Sequence, residues 1–183
     1  TISCCGQDSI RGKYVLLFNS ASFNDHWTQT LRTEIKQNLT RDFKDISCYS
    51  EELSIPTLQN EKEAEALRSK LLSRYKKRPE LVIFIGDPGW IVCTPIFKKA
   101  WKGIPALVCY SRARLPLTLK ALLNKEILTD SNSILAEDFN KGYEVTTLQV
   151  PFYVKETVAV MQQILPHMKS LAFISDDRFI SME

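Results

Sequence analysis

The chain has 183 residues, of which 44% are hydrophobic and 25% are charged, and its 24 Lys and Arg residues nearly balance 21 Asp and Glu. A chain of this length and composition buries enough apolar surface to fold without a metal or a disulfide framework. The near-neutral charge excludes a nucleic-acid binder that works through bulk charge, and no apolar run approaches the roughly 20 residues of a membrane helix. These values exclude disorder and a membrane span, but they do not identify a function.

The cysteines form no CxxC pair and no metal-binding spacing with the two histidines, so we expect no metal site and no disulfide framework. Cys48, Cys93 and Cys109 lie within apolar elements, where a small buried thiol is the usual role of cysteine. We therefore predict that these three residues are unpaired and largely buried.

From residue 13 onward, short β-branched segments alternate with longer periodic segments, which is typical of βαβ units around a parallel sheet. Residues 14–18 are apolar throughout, as expected for a strand that is covered on both faces. A helix follows, with one apolar face formed by Trp27, Leu31, Ile35 and Leu39, which recur every four residues. Residues 45–49 predict a weaker strand at the edge of the sheet.

The later elements follow the same alternation. Asn60 is placed to cap a charged helix over residues 61–76, and residues 81–85 predict the strongest strand of the chain. The turn at residues 86–89 leads into a helix that carries Trp90. Three further strands are predicted at residues 104–110, 143–150 and 171–174. Two further helices are predicted at residues 117–124 and 154–165.

This order predicts a doubly wound α/β fold, in which ligands bind where the strands end and the connections leave in opposite directions. A nucleotide site would need glycines after the first strand, and residues 19–23 contain none. A phosphoacceptor receiver domain would need an acidic pair at Asn19 and Ser20. Because no serine belongs to a motif that supplies a histidine base, we expect no catalytic residue and no cofactor.

The candidate ligand-binding residues follow the predicted strands. They are Ser20 and Ser22 after the first strand, Asp87 after the third, and Ser111 and Arg112 after the fourth. Because parallel strands end on one side of a sheet, we expect these residues to form one rim. Short hydroxyl groups and a carboxylate suit a small polar ligand, and Arg112 suits an anionic one. The alternatives are helix capping and turn closure for Ser22 and Asp87, and an exposed loop for Arg112.

Two tryptophans complete the candidate set. Trp27 and Trp90 begin the helices that follow the first and third strands, and each either stacks on a ring of the ligand or packs in the core. Replacing Ser20 and Asp87 by alanine should weaken ligand binding, and unchanged affinity would leave these residues purely structural. The same changes should alter the free energy of unfolding by only about 1–2 kcal/mol.

Residues 15–28, Val-Leu-Leu-Phe-Asn-Ser-Ala-Ser-Phe-Asn-Asp-His-Trp-Thr, resemble the opening of the ABC-transporter substrate-binding-protein-like sensor family. The resemblance continues in short segments at residues 75–88, 103–108, 145–146 and 165–177. The first of these segments ends in Gly86-Asp87-Pro88. Residues 50–53, Ser-Glu-Glu-Leu, depart from the acidic Leu-Asp type motif that this family usually has after its second strand.

The resemblance implies the first lobe of a type I periplasmic-binding-protein-like fold, with the start of a second lobe. It implies a first α/β lobe at residues 13–150 and a crossover with a truncated second lobe at residues 151–183, and the polar residues 1–12 are expected to form a flexible leader. We expect the chain to belong to a longer protein. The strand at residues 171–174 should then pair with the sheet of the first lobe or with another chain.

The function implied by the resemblance is an extracytoplasmic ligand-sensing domain of a membrane-bound two-component histidine kinase, in some cases a hybrid with a response regulator. The alternative is a periplasmic solute-binding component of an ABC transporter. In both cases the expected partner is a small molecule, with no nucleic acid and no catalysis by this segment. We expect a periplasmic or extracytoplasmic location within an inner-membrane protein, a membrane contact only through segments outside this chain, and a homodimer as a possible assembly.

Overall fold

The computed structural model describes residues 12–20, 26–149, 154–167 and 169–170. Its strands are β1 (Lys13–Asn19), β2 (Ile46–Glu52), β3 (Leu81–Ile85), β4 (Ala106–Ser111), β5 (Arg114–Pro116), β6 (Ser133–Leu135) and β7 (Val145–Gln149). Its helices are α1 (His26–Asp42), α2 (Glu61–Arg74), α3 (Asp87–Lys98), α4 (Leu119–Leu123), α5 (Ala136–Phe139) and α6 (Val154–Ile164), with a 3-10 turn at Ile55–Thr57.

Five of the strands form one parallel sheet in the order β2-β1-β3-β4-β7. Helices cover both faces of this sheet. Along β1, Leu16 and Phe18 belong to the core that α2 and α3 share, whereas Val15 and Leu17 pack with Leu31 and other residues of α1. The two covered faces explain why residues 14–18 are apolar without interruption, and the predicted doubly wound α/β fold is confirmed.

The core on the α3 side is rich in aromatic rings. Phe84, Trp90 and Phe97 meet edge to face or tilted, with ring centroids 5.0–6.1 Å apart. Trp101 extends the cluster, with its ring 5.6 Å from that of Phe97. Rings at these separations contribute attraction beyond their buried area, so α3 is held firmly against the middle of the sheet.

The predicted start of α2 is confirmed. The side chain of Asn60 accepts a hydrogen bond from the backbone N–H of Glu63 at 3.1 Å, which satisfies one of the unpaired donors of the first turn. The β2 strand lies at the edge of the sheet, as predicted.

Between β4 and β7 the chain forms an excursion, for which the sequence predicted only the helix at residues 117–124. The excursion contains the antiparallel pair β5–β6 and the short helices α4 and α5. Each of these strands has three residues, which is too short to display an alternation of apolar and polar side chains. The predicted strand at residues 171–174, and therefore its pairing, lies outside the described residues.

Cys48, Cys93 and Cys109 are all unpaired, as predicted. Cys93 and Cys109 are buried, whereas Cys48 is only half-buried because it lies on the edge strand β2. Among the helices of the described ranges, none combines the length and the apolar character needed to cross a membrane.

Candidate ligand site at the carboxyl edge of the sheet

The carboxyl ends of the four strands β2, β1, β3 and β4 are joined by backbone hydrogen bonds beyond the strands themselves. Ser20 N–H donates to the carbonyl of Ile85 at 3.0 Å, and Gly86 N–H donates to the carbonyl of Cys109 at 2.8 Å. Leu53 N–H donates to the carbonyl of Asn19 at 2.8 Å. The connections after β1 and β3 lead to opposite faces of the sheet, so this edge is the topological switch point at which such folds bind ligands.

Ser20 connects the end of β1 to the turn after β3. Its hydroxyl donates to the carbonyl of Gly86 at 2.7 Å and accepts from the N–H of Gly89 at 2.8 Å. Gly86 has φ of +92°, and a Cβ on Gly89 would lie 2.8 Å from the Ser20 Oγ. Ser20 therefore fixes the turn into α3, and both of its hydrogen-bonding roles are occupied within the protein.

Asp87 and Arg112, two of the predicted site residues, bind each other. The Asp87 carboxylate accepts from the Arg112 backbone N–H at 2.8 Å, from Nε at 3.1 Å and from Nη2 at 3.0 Å. The side chains of Arg112 and Asp87 are only 5% and 2% exposed. The exposed loop given as the alternative for Arg112 is therefore wrong. The cap of α3 is Gly86 rather than Asp87, and Asp87 ties the first turn of α3 to the end of β4.

A backbone irregularity at the end of β4 brings Arg112 to Asp87. The register between β4 and β7 shifts between Cys109 and Ser111, and Tyr110 has φ of +62°. A left-handed conformation costs a non-glycine residue roughly 1–2 kcal/mol, and such a bulge changes the direction of the side chains that follow it. Ser111 is buried, with its hydroxyl donating to the carbonyl of Arg112 at 3.1 Å.

Asn19, the last residue of β1, carries an unsatisfied donor. Its side chain is buried, the residue being 2% exposed, and its Nδ2 has no hydrogen-bond partner. It is the one such buried side-chain atom among the described residues. Alternation along β1 places this amide on the face of the sheet that α1 covers, next to Ser20 on the other face. More than nine in ten buried donors are paired in native proteins, so a donor left open at this position is a candidate ligand contact.

The neighbouring thiol adds no nucleophile to this edge. Cys109 lies near the end of β4, on the same face as Val15 and Leu17. Burial raises the pKa of its thiol, so the neutral form persists at neutral pH.

Of the two tryptophans predicted for the site, the structure describes the side chain of Trp90 and not that of Trp27. Trp90 is fully buried in the core, where its indole N–H donates to Asn140 Oδ1 at 2.9 Å and its ring lies 5.3 Å from that of Tyr143. It packs the core and does not line the rim. Ser22 and the side chain of Trp27 lie outside the described residues.

Ser20, Asp87, Ser111 and Arg112 thus lie at one edge of the sheet, as predicted, because parallel strands end on one side. Asn19 as a ligand contact and the left-handed Tyr110 were not predicted. The feature of the sequence that could have indicated Asn19 is a polar amide side chain directly after the apolar residues 14–18, in a strand covered on both faces.

Within the ranges that the structure describes, no three His, Cys, Asp or Glu side chains are grouped so that they could hold a metal ion. Comparisons of the chain with protein-family models, with characterised proteins and with solved structures found no match.

Proposed function

We propose that this chain is a non-catalytic, extracytoplasmic ligand-sensing domain of a two-component histidine kinase. We further propose that its small polar ligand binds at the carboxyl edge of β1, β3 and β4. The sensor assignment rests on the resemblance at residues 15–28 and 75–88, which include the ends of β1 and β3. The location of the site rests on the structure of that edge.

The observation that carries the binding proposal is the open donor of Asn19. An unpaired donor in the interior costs about 1–3 kcal/mol, and a bound carbonyl, hydroxyl or carboxylate oxygen would remove that cost. Asn19 lies at the switch point, the position at which doubly wound α/β folds bind ligands. The ligand therefore presents at least one hydrogen-bond acceptor to the Asn19 amide.

The remaining residues of the edge support binding without reaction. The Ser20 hydroxyl is held by Gly86 and Gly89, and the Asp87 carboxylate is held by Arg112. Groups held in this way provide a rigid frame rather than a nucleophile and a base. A preformed frame lowers the entropy that a ligand must lose on binding.

A thermal-shift panel tests this proposal. The probes are the common amino acids, monosaccharides, dicarboxylates and nucleosides, each at millimolar concentration, with wild type, Asn19→Leu and the surface control Asn60→Leu. We expect at least one probe to raise the melting temperature of wild type and of Asn60→Leu, and to leave that of Asn19→Leu unchanged. A panel without a stabilising probe, or one that stabilises all three proteins equally, contradicts the proposed site.

The signalling half of the proposal needs a longer protein that contains this chain. We expect the stabilising probe to change the rate of autophosphorylation of that protein, and the Asn19→Leu change to abolish the response. Binding without a change in phosphorylation would retain the ligand site and reject the sensor assignment.

A further inference from the structure

A groove of about 600 Å³ lies against α3 and shares no residue with the site described above. Its walls come from α2, from α3 and from the excursion between β4 and β7. The residues of α3 that line it begin at Ile91, whereas Asp87 at the sheet edge begins the helix. The volume lies within the range of about 300–1,000 Å³ that is typical of small-molecule sites.

Apolar side chains form part of the lining of the groove. Ile91 and Phe97 are buried at its base, and Ile134, Phe139 and Tyr143 are half-buried along its walls. Rings and branched chains of this kind shelter an apolar body from water, at roughly 25 cal/mol for each Å² removed.

The rim of the groove carries an excess of positive charge. Four cationic and two acidic side chains line it, namely Arg68, Lys98, Lys102, Lys141, Glu61 and Asp138. Lys141 is neutralised by Asp138, because their charged atoms are 2.6 Å apart. Glu61 lies in the first turn of α2, where the helix dipole stabilises a carboxylate. The three remaining cations, Arg68, Lys98 and Lys102, therefore outnumber Glu61, the one remaining carboxylate, and leave the rim with a net positive charge.

Two of these cations are held over the groove by contacts of their own. Arg68 Nη1 donates to the backbone carbonyl of Val92 at 3.2 Å, which anchors the guanidinium against α3. Lys98 Nζ lies 5.9 Å from the centre of the Tyr143 ring, within the range of a cation–π contact. A positive rim above an apolar base is complementary to a molecule that combines an anionic group with an apolar body.

We propose that this groove is a second ligand site, for a small amphiphilic anion such as an aryl or alkyl carboxylate or sulfonate. The apolar body lies against Ile91, Phe139 and Tyr143. The anionic group faces Arg68 and Lys98. This site is distinct from the one at the sheet edge, because the two share no residue.

Fluorescence titration with 8-anilinonaphthalene-1-sulfonate tests the proposal, with the uncharged N-phenyl-1-naphthylamine as the matched probe. We expect the sulfonate to bind the folded protein saturably at one site, at least about fivefold more tightly than the neutral probe, since two or three cations at the rim each contribute a modest attraction. Equal affinity for both probes, or sulfonate binding only when the protein begins to melt, overturns the proposal.

Paired variants separate the charge of the rim from its shape. Leu117 lines the groove and is 53% exposed, so Leu117→Glu and Leu117→Gln differ only in charge and should both fold. We expect sulfonate affinity to be about threefold to tenfold lower in Leu117→Glu than in Leu117→Gln. Equal affinities in the two variants reject the charged rim as the determinant.

Removal of cations gives a second comparison. The double change Lys98→Met and Lys102→Met should weaken sulfonate binding about fivefold, whereas Lys62→Met and Lys70→Met, on exposed α2 positions outside the groove, should change it less than about twofold. Amide shifts on sulfonate addition should centre on Thr94 and Gly142. An equal loss in both double variants, or shifts centred on Ser20 and Gly86, overturns the proposal.

Discussion

The Asp87 carboxylate and the Arg112 guanidinium form a buried pair that joins the first turn of α3 to the end of β4, with Oδ1 and Nη2 3.0 Å apart. The Arg112 backbone N–H donates to the same carboxylate at 2.8 Å, so the pair also holds the chain that leaves β4. Charge-assisted bonds of this geometry are strong in an interior of low dielectric. The pair therefore determines the shape of the sheet edge at which we place the ligand.

Loss of one partner of this pair should destabilise the protein strongly. In Asp87→Ala the Arg112 charge stays buried without compensation, and we expect the free energy of unfolding to fall by about 3–5 kcal/mol. This exceeds the 1–2 kcal/mol expected from the sequence, because the Asp87 carboxylate forms a buried ion pair with Arg112 rather than a helix cap. Urea unfolding provides the measurement.

Two further variants control this prediction. The double change Asp87→Leu and Arg112→Met removes both charges and should be less destabilising than Asp87→Ala. Asp42→Ala removes a carboxylate from an exposed pair with Arg41 and should leave stability unchanged within error. If Asp87→Ala behaves like Asp42→Ala, the buried pair is not what holds the edge together.

The close approach of Ser20 to Gly89 predicts coupled effects. Ser20→Ala loses two hydrogen bonds and should cost about 1–3 kcal/mol. Gly89→Ala places a methyl group 2.8 Å from Ser20 Oγ and should also destabilise the fold. Because Ser20→Ala removes that oxygen, the double variant should lose less than the two single changes together, and a double-mutant cycle should give a coupling of about 0.5–3 kcal/mol. Additive losses would argue against this contact.

In the absence of a ligand, the unpaired amide of Asn19 should lower the free energy of unfolding. Asn19→Leu removes the unpaired donor and adds apolar burial, so we expect the free energy of unfolding to rise by about 1 kcal/mol. Asn60→Leu removes a helix cap and should lower it by about 1 kcal/mol. Denaturant unfolding of both variants provides the comparison. Destabilisation by Asn19→Leu equal to that of Asn60→Leu would indicate that Asn19 is satisfied within the fold.

The thiol of Cys93 predicts a loss of stability at alkaline pH. Burial raises its pKa from about 9 to about 12, so between these values the unfolded chain releases a proton that the folded protein retains. The free energy of unfolding should therefore be unaffected by this thiol below pH 9. Above it, the free energy should decrease by up to roughly 1.4 kcal/mol per pH unit.

Urea unfolding under reducing conditions, from pH 8 to pH 10.5, tests the effect of this thiol. Cys93→Ala should show a shallower decline than wild type, because alanine has no proton to release. Parallel declines in the two proteins would assign the alkaline loss to other groups, such as Tyr14, whose pKa burial raises to about 12.

Elements with a long, consistent pattern were predictable from the sequence. The unbroken apolar segment at residues 14–18 predicted a strand covered on both faces, and Asn60 before the charged helix predicted its cap. The convergence of Ser20 with the turn after β3 followed from the geometry of parallel strands alone.

Features that depend on tertiary contacts were not predictable in this way. Arg112 reaches Asp87 two residues after the left-handed Tyr110, and nothing in a tyrosine indicates positive φ. Trp90 lies in the first turn of α3 near the sheet edge, but the helix turns its indole into the core toward Asn140. Likewise, an unpaired amide is visible only when every neighbour of Asn19 has been placed.

The side-chain amide resonances of Asn19 give the most direct test of the ligand site. The Asn19→Leu variant assigns them in an amide correlation spectrum, and Asn60 provides an exposed reference. On addition of the probe that stabilises wild type in the thermal-shift panel, we predict that the Asn19 NH₂ signals move as the amide gains an acceptor, and that those of Asn60 remain in place. Saturating probe that leaves the Asn19 signals unmoved would contradict the proposed site.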